Sequence, residues 1–339
     1  MTSENTKQFF EKYLGSPSSE FITLAQSGSA RVNFLAKSGT KKYIVTSNEN
    51  IPENESFLYY SKVFSELGLN TPAIFAVSDD RKVYIQEFLG EHTLSEIIAE
   101  EGLSDHVRTL VKQTLVKLFK LQIGTQGKID FSKTFEYEKY DELPVIHDLY
   151  YFKNFVADVL ELEYRKSALL KEFKQIAALI ESLSPKGMMI RDFQARNIMV
   201  NEESKVSFID YQSAMEGPLM YDVISFLYQA KADFPEDFKN EMLDYYIGQF
   251  DNEEVKIQLK NSVKPIQMMR FLQVLGAYGF RGLIQRKQHF ISSLEKGVQN
   301  ITQFASSWEQ MNNYPELKKV IEQLATEESK LKINAILNH

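Results

Sequence analysis

The sequence predicts an α+β protein in which a small β-rich lobe precedes a large, mainly helical lobe. From about residue 21 to residue 88, short β-prone runs alternate with Gly, Asn and Asp. After Gly90 the apolar residues recur mostly at helical spacing. The 339 residues include only 9 Pro and 15 Gly, which leaves no obvious flexible linker between the two patterns. We therefore predict two adjoining domains, residues 1–89 and residues 90–339.

The N-terminal lobe is predicted to consist of short strands and one helix. The β-prone runs cover residues 21–25, 31–36, 42–46, 74–77 and 82–88. Residues 53–67 interrupt them, with Phe57, Tyr60 and Phe64 on one face at helical spacing. Gly68 follows as a C-cap candidate, so the helix is expected to end there.

The C-terminal lobe is predicted to be helical with one β-like interruption. Helical spacing covers residues 93–100, 104–121, 145–162, 168–183 and 218–338. The β-like interval consists of residues 187–200 and 205–210. This interval carries the most informative residues of the chain.

Composition excludes several classes of function. The chain has no cysteine, which rules out disulfides, thiolate metal sites and a cysteine nucleophile. The formal charge of −7 disfavours broad electrostatic capture of nucleic acid or of an anionic membrane. No apolar stretch approaches the ~18 residues of a membrane span, and the polar first residues show no secretory signal. We expect a cytoplasmic monomer or homodimer that binds neither nucleic acid nor membrane.

The β-like interval contains a compact set of oxygen ligands. An apolar run leads into Arg191 and Asp192, Asn197 follows after four intervening residues, and the next strand ends on Asp210. Phosphoryl transfer needs such a set, because one carboxylate orients the attacking hydroxyl while an amide and a second carboxylate hold Mg²⁺ against nucleotide phosphates. The alternative is structural, with Asp192 and Asn197 capping a turn and Asp210 ending a strand. The flanking apolar runs and the β-rich lobe upstream favour phosphoryl transfer.

This segment resembles the catalytic and metal-binding segments of the aminoglycoside phosphotransferase and choline kinase superfamily. The likeness spans most of the chain and includes residues 27–31, 69–72, 86–90, 191–197, 210, 217–223 and 270–276. Within the superfamily it is strongest to bacterial anomeric amino-sugar kinases, which phosphorylate N-acetylmuramate or N-acetylglucosamine. The phrase Arg-Asp-Phe-Gln-x-Arg-Asn also resembles an uncharacterised Bacteroidetes phosphotransferase group. The resemblance implies a two-lobed protein-kinase-like fold, with a small antiparallel β-rich N-lobe and a large, mainly helical C-lobe.

The resemblance also implies roles for the matched residues. Asp192 would be the catalytic base, and Asn197 and Asp210 would hold Mg²⁺. Gln194 lies where relatives place a Lys or His that contacts the transferring phosphate, and its amide offers a hydrogen bond without a charge. The implied activity is that of an ATP- and Mg²⁺-dependent small-molecule kinase acting on a hydroxyl group, in the first place of an amino sugar.

ATP is expected to bind to the N-terminal lobe. The turn of Ser27, Gly28 and Ser29 would cover the phosphates with backbone amides, although Ser-Gly-Ser is also an ordinary hairpin turn. The connection between the lobes would offer the main chain of Gln86 and Phe88 to adenine.

One departure from kinase-like folds concerns the third strand, where a lysine usually clamps the α- and β-phosphates and pairs with a helix Glu. Here that position falls near Thr46. Glu53 and Glu55 are the acidic candidates on the following helix, although a solvated helix start is the commoner role of such residues. The missing lysine motivates an alternative, a pseudokinase that binds nucleotide and serves as a scaffold. The complete set of oxygen ligands argues for an enzyme.

The acceptor is expected to bind to the helical lobe. Asp148, Tyr151 and Phe152 lie close together on one predicted helix. They would provide a carboxylate for sugar hydroxyls and an aromatic face for the C–H side of the ring. The alternative is that the aromatic rings belong to the core and Asp148 is a partly exposed cap. Aminoglycosides, choline-like amines and homoserine are the other acceptors that the resemblance allows.

Overall fold

The computed structural model describes residues 3–25 and 30–338, apart from the side chains of His289 and Asn338. The predicted phosphate-covering turn at residues 27–29 lies outside this part of the chain. None of the described helices has the length and apolar character that crossing a membrane requires.

Two compact units make up the chain. The first consists of Met1–Glu138 and Gly187–Glu216, and the second of Lys139–Lys186 and Gly217–His339. The β-like interval that carries the predicted catalytic residues therefore belongs to the same unit as the N-terminal sheet. The division into residues 1–89 and 90–339 follows the sequence pattern and stays a prediction.

Strands are concentrated in the first half of the chain, and helices dominate the second. The first half contains α1 (Ser3–Leu14), β1 (Glu20–Thr23), β2 (Val32–Ser38), β3 (Lys41–Ser47), α2 (Ile51–Glu66), β4 (Ile74–Val77), β5 (Val83–Glu87), β6 (His92–Thr93), α3 (Leu94–Glu101) and α4 (Asp105–Gly124). It is followed by α5 (Glu142–Phe152), α6 (Lys166–Ser182), β7 (Lys186–Met189), β8 (Ile198–Val200), β9 (Val206–Phe208), β10 (Met215–Pro218), α7 (Met220–Leu227), α8 (Glu236–Ile247), α9 (Glu253–Tyr278), α10 (Gln288–Ser307), α11 (Pro315–Leu324) and α12 (Glu327–Asn338).

The N-terminal strands form one antiparallel sheet in the order β1–β2–β3–β5–β4, and all five overlap the β-prone runs of the sequence. One face of the sheet is buried. Val45 and Ile85 pair across β3 and β5 with no exposed surface, and Phe34 of β2 packs beside them. Phe10 of α1 completes this cluster, so the opposite face of β2 and β3 is left for other contacts.

Helix α1 has no counterpart in the sequence prediction. Of its 12 residues only Thr6 and Phe10 are buried. Because an amphipathic helix is recognised by apolar residues that recur every three or four positions, so sparse a buried face gives no clear periodicity.

Helix α2 overlaps the predicted helix at residues 53–67. It begins after Asn50, whose side chain accepts a hydrogen bond from Glu53 N–H at 3.3 Å. Phe57, Tyr60 and Phe64, the predicted apolar stripe, are each 3% exposed or less. The stripe therefore faces the interior of the first unit, as its spacing predicts.

In the second unit, the segments that follow α5 and α9 approach each other closely at a glycine. A Cβ added to Gly279 would lie 2.2 Å from the carbonyl oxygen of Phe155. Both segments are π-helical at this contact, over Lys153–Ala157 and Gly279–Ile284. Of the helix predicted at residues 145–162, only the part up to Phe152 is α-helical, and this part belongs to α5.

Gly90, between β5 and β6, is expected to tolerate no side chain. Its φ is +148°, and a Cβ would lie 2.4 Å from the carbonyl oxygen of Val200. Gly39 is a matched control, because its φ is +59° and no atom of the described residues lies within 4 Å of an added Cβ. We expect Gly90→Ala to lower the free energy of unfolding by about 2 kcal/mol more than Gly39→Ala does, as measured by urea denaturation. Equal losses would contradict the close approach of the two backbones.

Candidate active site

The loop between β7 and β8 alternates buried apolar residues with polar ones. Phe193 and Ala195 are each 1% exposed, and the Phe193 ring packs edge-on against Phe208 with the centroids 4.9 Å apart. Asp192 and Gln194, which alternate with them, keep part of their surface exposed. Apolar burial therefore fixes the loop and leaves its polar side chains available.

The hairpin of β8 and β9 brings the predicted metal ligands together. Its antiparallel pairing continues beyond the strands, where Ile209 N–H donates to Asn197 O at 3.1 Å. Asn197 Nδ2 donates to Asp210 Oδ2 at 3.2 Å and to the main-chain oxygen of Asp192 at 2.9 Å. Asp192, Asn197 and Asp210 thus belong to one hydrogen-bonded group.

Asp210 carries its negative charge beside an arginine. Arg31 forms an ion pair with Asp210, and Gln212 Nε2 donates to Asp210 Oδ1 at 3.1 Å. Burial alone would raise the pKa of Asp210, but the Arg31 charge and the hydrogen bonds from Arg31 and Gln212 outweigh it. The pKa of Asp210 therefore lies below its usual value, and the side chain is a carboxylate at neutral pH.

Glu53 also belongs to this group of charges. Its Oε1 lies 3.2 Å from Arg31 Nε, and both side chains are 13% exposed. Asn48 Nδ2 donates to Glu53 Oε2 at 3.0 Å. The expectation that Glu53 is a solvated residue at the helix start is therefore wrong, since Arg31, which directly precedes β2, forms an ion pair with it. Sequence reasoning missed Arg31, although the alternation of residues 31, 33 and 35 along the β-prone run 31–36 was available as a signal.

Two residues of the site have backbone conformations in the left-handed region. Arg191 has φ of 73° and Asp210 has φ of 65°. Each such conformation costs about 1 kcal/mol for a residue with a side chain, and it persists only where the surroundings hold it. The Arg191 guanidinium lies 3.6 Å from Glu136 Oε2 and 5.8 Å from the centroid of the Tyr137 ring. Strain of this kind is typical of functional sites.

The predicted base Asp192 is paired with a cation from its own loop. Arg196 Nη2 donates to Asp192 Oδ2 at 2.8 Å, and the two side chains are 45% and 40% exposed. The Gln194 side chain makes no hydrogen bond within the described residues. Arg196 therefore places a positive charge directly beside the predicted base.

A cavity of about 490 Å³ lies beside these residues in the first unit. Its lining combines charged and polar side chains with apolar ones, and includes Arg31, Asn197, Asp210, Ile44 and Met199. Such a mixture suits a ligand with an apolar ring system and a charged tail.

The residues predicted to contact ATP have separate outcomes. Gln86 and Phe88 line the cavity. Ser27, Gly28 and Ser29 lie outside the described residues. Of the residues predicted to contact ATP, Gln86 and Phe88 are therefore the ones that the described structure places at the cavity.

The three predicted acceptor residues lie on α5 in the second unit. Phe152 has no exposed surface, which corrects the expectation that its ring faces a sugar, because it is part of the core. Asp148 is 4% exposed and accepts a hydrogen bond from Tyr140 Oη at 3.0 Å. Tyr151 is half-buried against Phe155, with ring centroids 4.7 Å apart, and burial raises its pKa. Asp148 and Tyr151 stay candidates.

Comparison with known proteins shows which family and which individual proteins the chain is similar to. A model described as the phosphotransferase enzyme family, APH, matches residues 22–257. An N-acetylmuramate/N-acetylglucosamine kinase of Neisseria meningitidis serogroup B is 26% identical over 202 residues, which cover 58% of this chain and 57% of the relative. A protein of the same name from Pseudomonas aeruginosa is 24% identical over 234 residues, which cover 68% and 66%. The chain thus spans less than two thirds of the length of these relatives.

Solved structures share the fold. The choline kinase LicA from Streptococcus pneumoniae aligns with a TM-score of 0.61 at 13% identity, over 88% of this chain and 98% of that chain. LicA in complex with AMP aligns with a TM-score of 0.57 at the same 13% identity and over the same 88% and 98%. The likeness confirms the predicted two-lobed protein-kinase-like fold, with an antiparallel sheet in its N-lobe and a mainly helical C-lobe.

Asn197→Ala is expected to lower the free energy of unfolding by about 2 kcal/mol. The amide is 8% exposed and donates hydrogen bonds to Asp192 and Asp210, both of which the substitution removes. Gln194→Ala changes an amide on the same loop that has no hydrogen bond among the described residues, and should cost less than about 0.5 kcal/mol. Urea denaturation without nucleotide measures both. Equal effects would show that Asn197 does not hold the group together.

Proposed function

The chain belongs to the phosphotransferase enzyme family, and from this premise we propose that it is an ATP- and Mg²⁺-dependent small-molecule kinase. Its acceptor would be a hydroxyl group of an N-acetylated amino sugar. The observation that carries the proposal is the grouping of Asp192, Asn197 and Asp210 beside a cavity that Gln86 and Phe88 also line. The two relatives named as N-acetylmuramate/N-acetylglucosamine kinases support the choice of acceptor class.

ATP would occupy the cavity of about 490 Å³. The main chain of Gln86 and Phe88 would bind the edge of adenine, and Ile44 and Met199 would contact its apolar faces. The AMP complex of LicA supports nucleotide use by this fold. The phosphates would then extend towards the carboxylate and amide groups of the site.

Asp210 and Asn197 fit a bound Mg²⁺. Asp210 is a carboxylate at neutral pH, because its pKa is lowered. Within residues 3–25 and 30–338, no group of three or more His, Cys, Asp or Glu side chains provides another metal site. A sparse set suits Mg²⁺, which takes few protein ligands and completes its shell with water and phosphate oxygens. Bound there, the ion would neutralise charge on the nucleotide phosphates.

Asp192 would orient the acceptor hydroxyl and take its proton. The hydroxyl oxygen forms a bond to the γ-phosphorus, the bond from that phosphorus to the β–γ bridging oxygen breaks, and ADP leaves with the electron pair. Gln194 is neutral and brings no positive charge to the phosphate. Arg196, whose Nη2 lies 2.8 Å from Asp192 Oδ2, would supply that charge. Catalysis would rest on positioning and charge neutralisation.

Acceptor recognition is proposed for Asp148 and Tyr151 in the second unit. The Asp148 carboxylate would accept hydrogen bonds from sugar hydroxyls. Tyr151 belongs to an aromatic cluster, since its ring centroid lies 4.7 Å from that of Phe155 and 5.7 Å from that of Phe280. A cluster of half-buried rings would offer an apolar surface to the C–H face of a sugar.

A nucleotide-binding scaffold is the alternative function. It is favoured by Thr46, which is 1% exposed and places an uncharged hydroxyl where kinase-like folds carry a lysine. Acceptor-stimulated turnover separates an enzyme from a scaffold.

This turnover gives a direct test of the proposed activity. In the presence of Mg²⁺, we expect N-acetylmuramate or N-acetylglucosamine to stimulate the formation of ADP from ATP. Asp192→Asn should lower kcat/KM about a thousandfold, because the base is lost. Glu203→Gln, an exposed change in the β8–β9 turn, should match the wild type. A coupled ADP assay would compare amino sugars, aminoglycosides, choline and homoserine. Nucleotide binding without stimulation by any acceptor would favour the scaffold, and stimulation by choline or aminoglycosides alone would exclude the amino-sugar class.

The proposed metal site is tested by the thermal stability of the nucleotide complex. We expect ATP with Mg²⁺ to raise Tm by several degrees more than ATP with EDTA, because the cation joins the phosphates to the protein. Asp210→Asn should abolish this difference. Asp79→Asn, an exposed carboxylate in the β4–β5 turn, should keep it. Differential scanning fluorimetry measures the shifts, and a full Mg²⁺-dependent shift in Asp210→Asn would exclude Asp210 as a ligand.

A further inference from the structure

Arg31 lies where three elements of the first unit meet. It directly precedes β2, and its Nε is 3.2 Å from Glu53 Oε1 on α2. The same guanidinium pairs with Asp210, and its Nη1 donates to Gln212 Oε1 at 3.1 Å in the segment after β9. Although its side chain is only 13% exposed, Arg31 lines the cavity. One cation therefore links α2, a predicted metal ligand and the cavity.

The third strand offers no cation at this place in the described structure. Its lysines are Lys41, which is exposed, and Lys42, which pairs with Glu91. Lys42 precedes Thr46 by four residues, or about 13 Å along a strand. Thr46 itself is buried, and its Oγ1 donates to Asn33 Oδ1 at 2.8 Å. The position at which the sequence predicts the lysine is thus filled by a hydrogen-bonded threonine.

The strand register places Arg31 beside that position. Asn33 is directly opposite Thr46, and Arg31 precedes Asn33 by two residues, so the two side chains share a face of the sheet. Arg31, Asn33 and Leu35 all line the cavity, as does Ile44 from β3. An arginine from the neighbouring strand can therefore deliver its guanidinium to the space that a lysine at position 46 would reach.

We propose that Arg31 performs the phosphate-clamping role that a third-strand lysine performs in kinase-like folds, with Glu53 as its acidic partner on α2. The inference rests on the proposed kinase function. In the ATP complex the guanidinium would donate two parallel hydrogen bonds to phosphate oxygens, while Glu53 holds its orientation. The role would thus have moved from the third strand to the start of the second.

The electrostatics of the site support this exchange of partners. Burial would lower the pKa of Arg31, but the charges of Asp210 and Glu53 outweigh burial and raise it, so the guanidinium stays charged. Two carboxylates around one guanidinium leave the group with a net negative charge. A divalent cation at Asp210 would reverse that sign, and Arg31 could then turn from Asp210 to a phosphate while it remains paired with Glu53.

Isothermal titration calorimetry with ATP and with adenosine, in the presence of Mg²⁺ and without acceptor, tests the proposal. The wild type is expected to bind ATP more tightly than adenosine. Arg31→Gln, which removes the charge, is expected to weaken ATP binding about 10- to 100-fold and to leave adenosine binding unchanged. Lys41→Ala, which removes an exposed lysine of the third strand, should leave both affinities unchanged.

Arg31→Lys provides the second variant, because it keeps a charge but lacks the planar fork of donors. If Arg31→Gln does not fold, the ratio of ATP to adenosine affinity in Arg31→Lys decides: a ratio below that of the wild type supports the proposal, and an equal ratio contradicts it. If Arg31→Gln binds ATP as tightly as the wild type does, or loses as much affinity for adenosine as for ATP, the proposed role of Arg31 is overturned. Neither result would contradict the proposed kinase function. A wild type that binds neither ligand would overturn the kinase proposal and this inference with it.

Discussion

The ion pair between Arg31 and Asp210 is the interaction on which the site depends. It connects the start of β2 to the chain that follows β9, and both residues line the cavity. Burial alone would raise the pKa of the half-buried Asp210 carboxyl, and a protonated carboxyl is a poor ligand for a cation. The arginine keeps the acid ionised before any ligand arrives. The charge that a bound metal would need is therefore already present in the protein.

Helix α2 supports both members of this pair. It carries Glu53, which forms an ion pair with Arg31, and its next turns hold the segment that follows Asp210. Ser56 Oγ donates to the carbonyl oxygen of Gln212 at 2.7 Å, and Tyr60 Oη donates to that of Ala214 at 2.8 Å. A single rigid element thus sets the distance between the cation and the carboxylate. This arrangement explains why the buried stripe of α2 and the chemistry of the site lie on the same helix.

Local patterns made the strands, helix α2 and the loop between β7 and β8 predictable, because alternation and helical spacing are properties of neighbouring residues. Helix α1 was missed since it buries too few side chains to produce such a pattern. The contact between Arg31 and Asp210 was missed for another reason. Arg31 and Asp210 are 179 residues apart, and no periodicity records a contact over that separation. Phe152 was placed in a substrate site because spacing alone does not separate a core ring from a ligand-facing one.

We propose that this chain moves the γ-phosphate of ATP onto an amino sugar. Phosphorus NMR of the protein with ATP, Mg²⁺ and N-acetylmuramate or N-acetylglucosamine tests it most directly, because it identifies the atom to which the phosphate is transferred. We expect a new sugar-phosphate monoester signal that grows in step with ADP. Formation of ADP with inorganic phosphate alone, or ATP that stays intact with both sugars, would contradict the account.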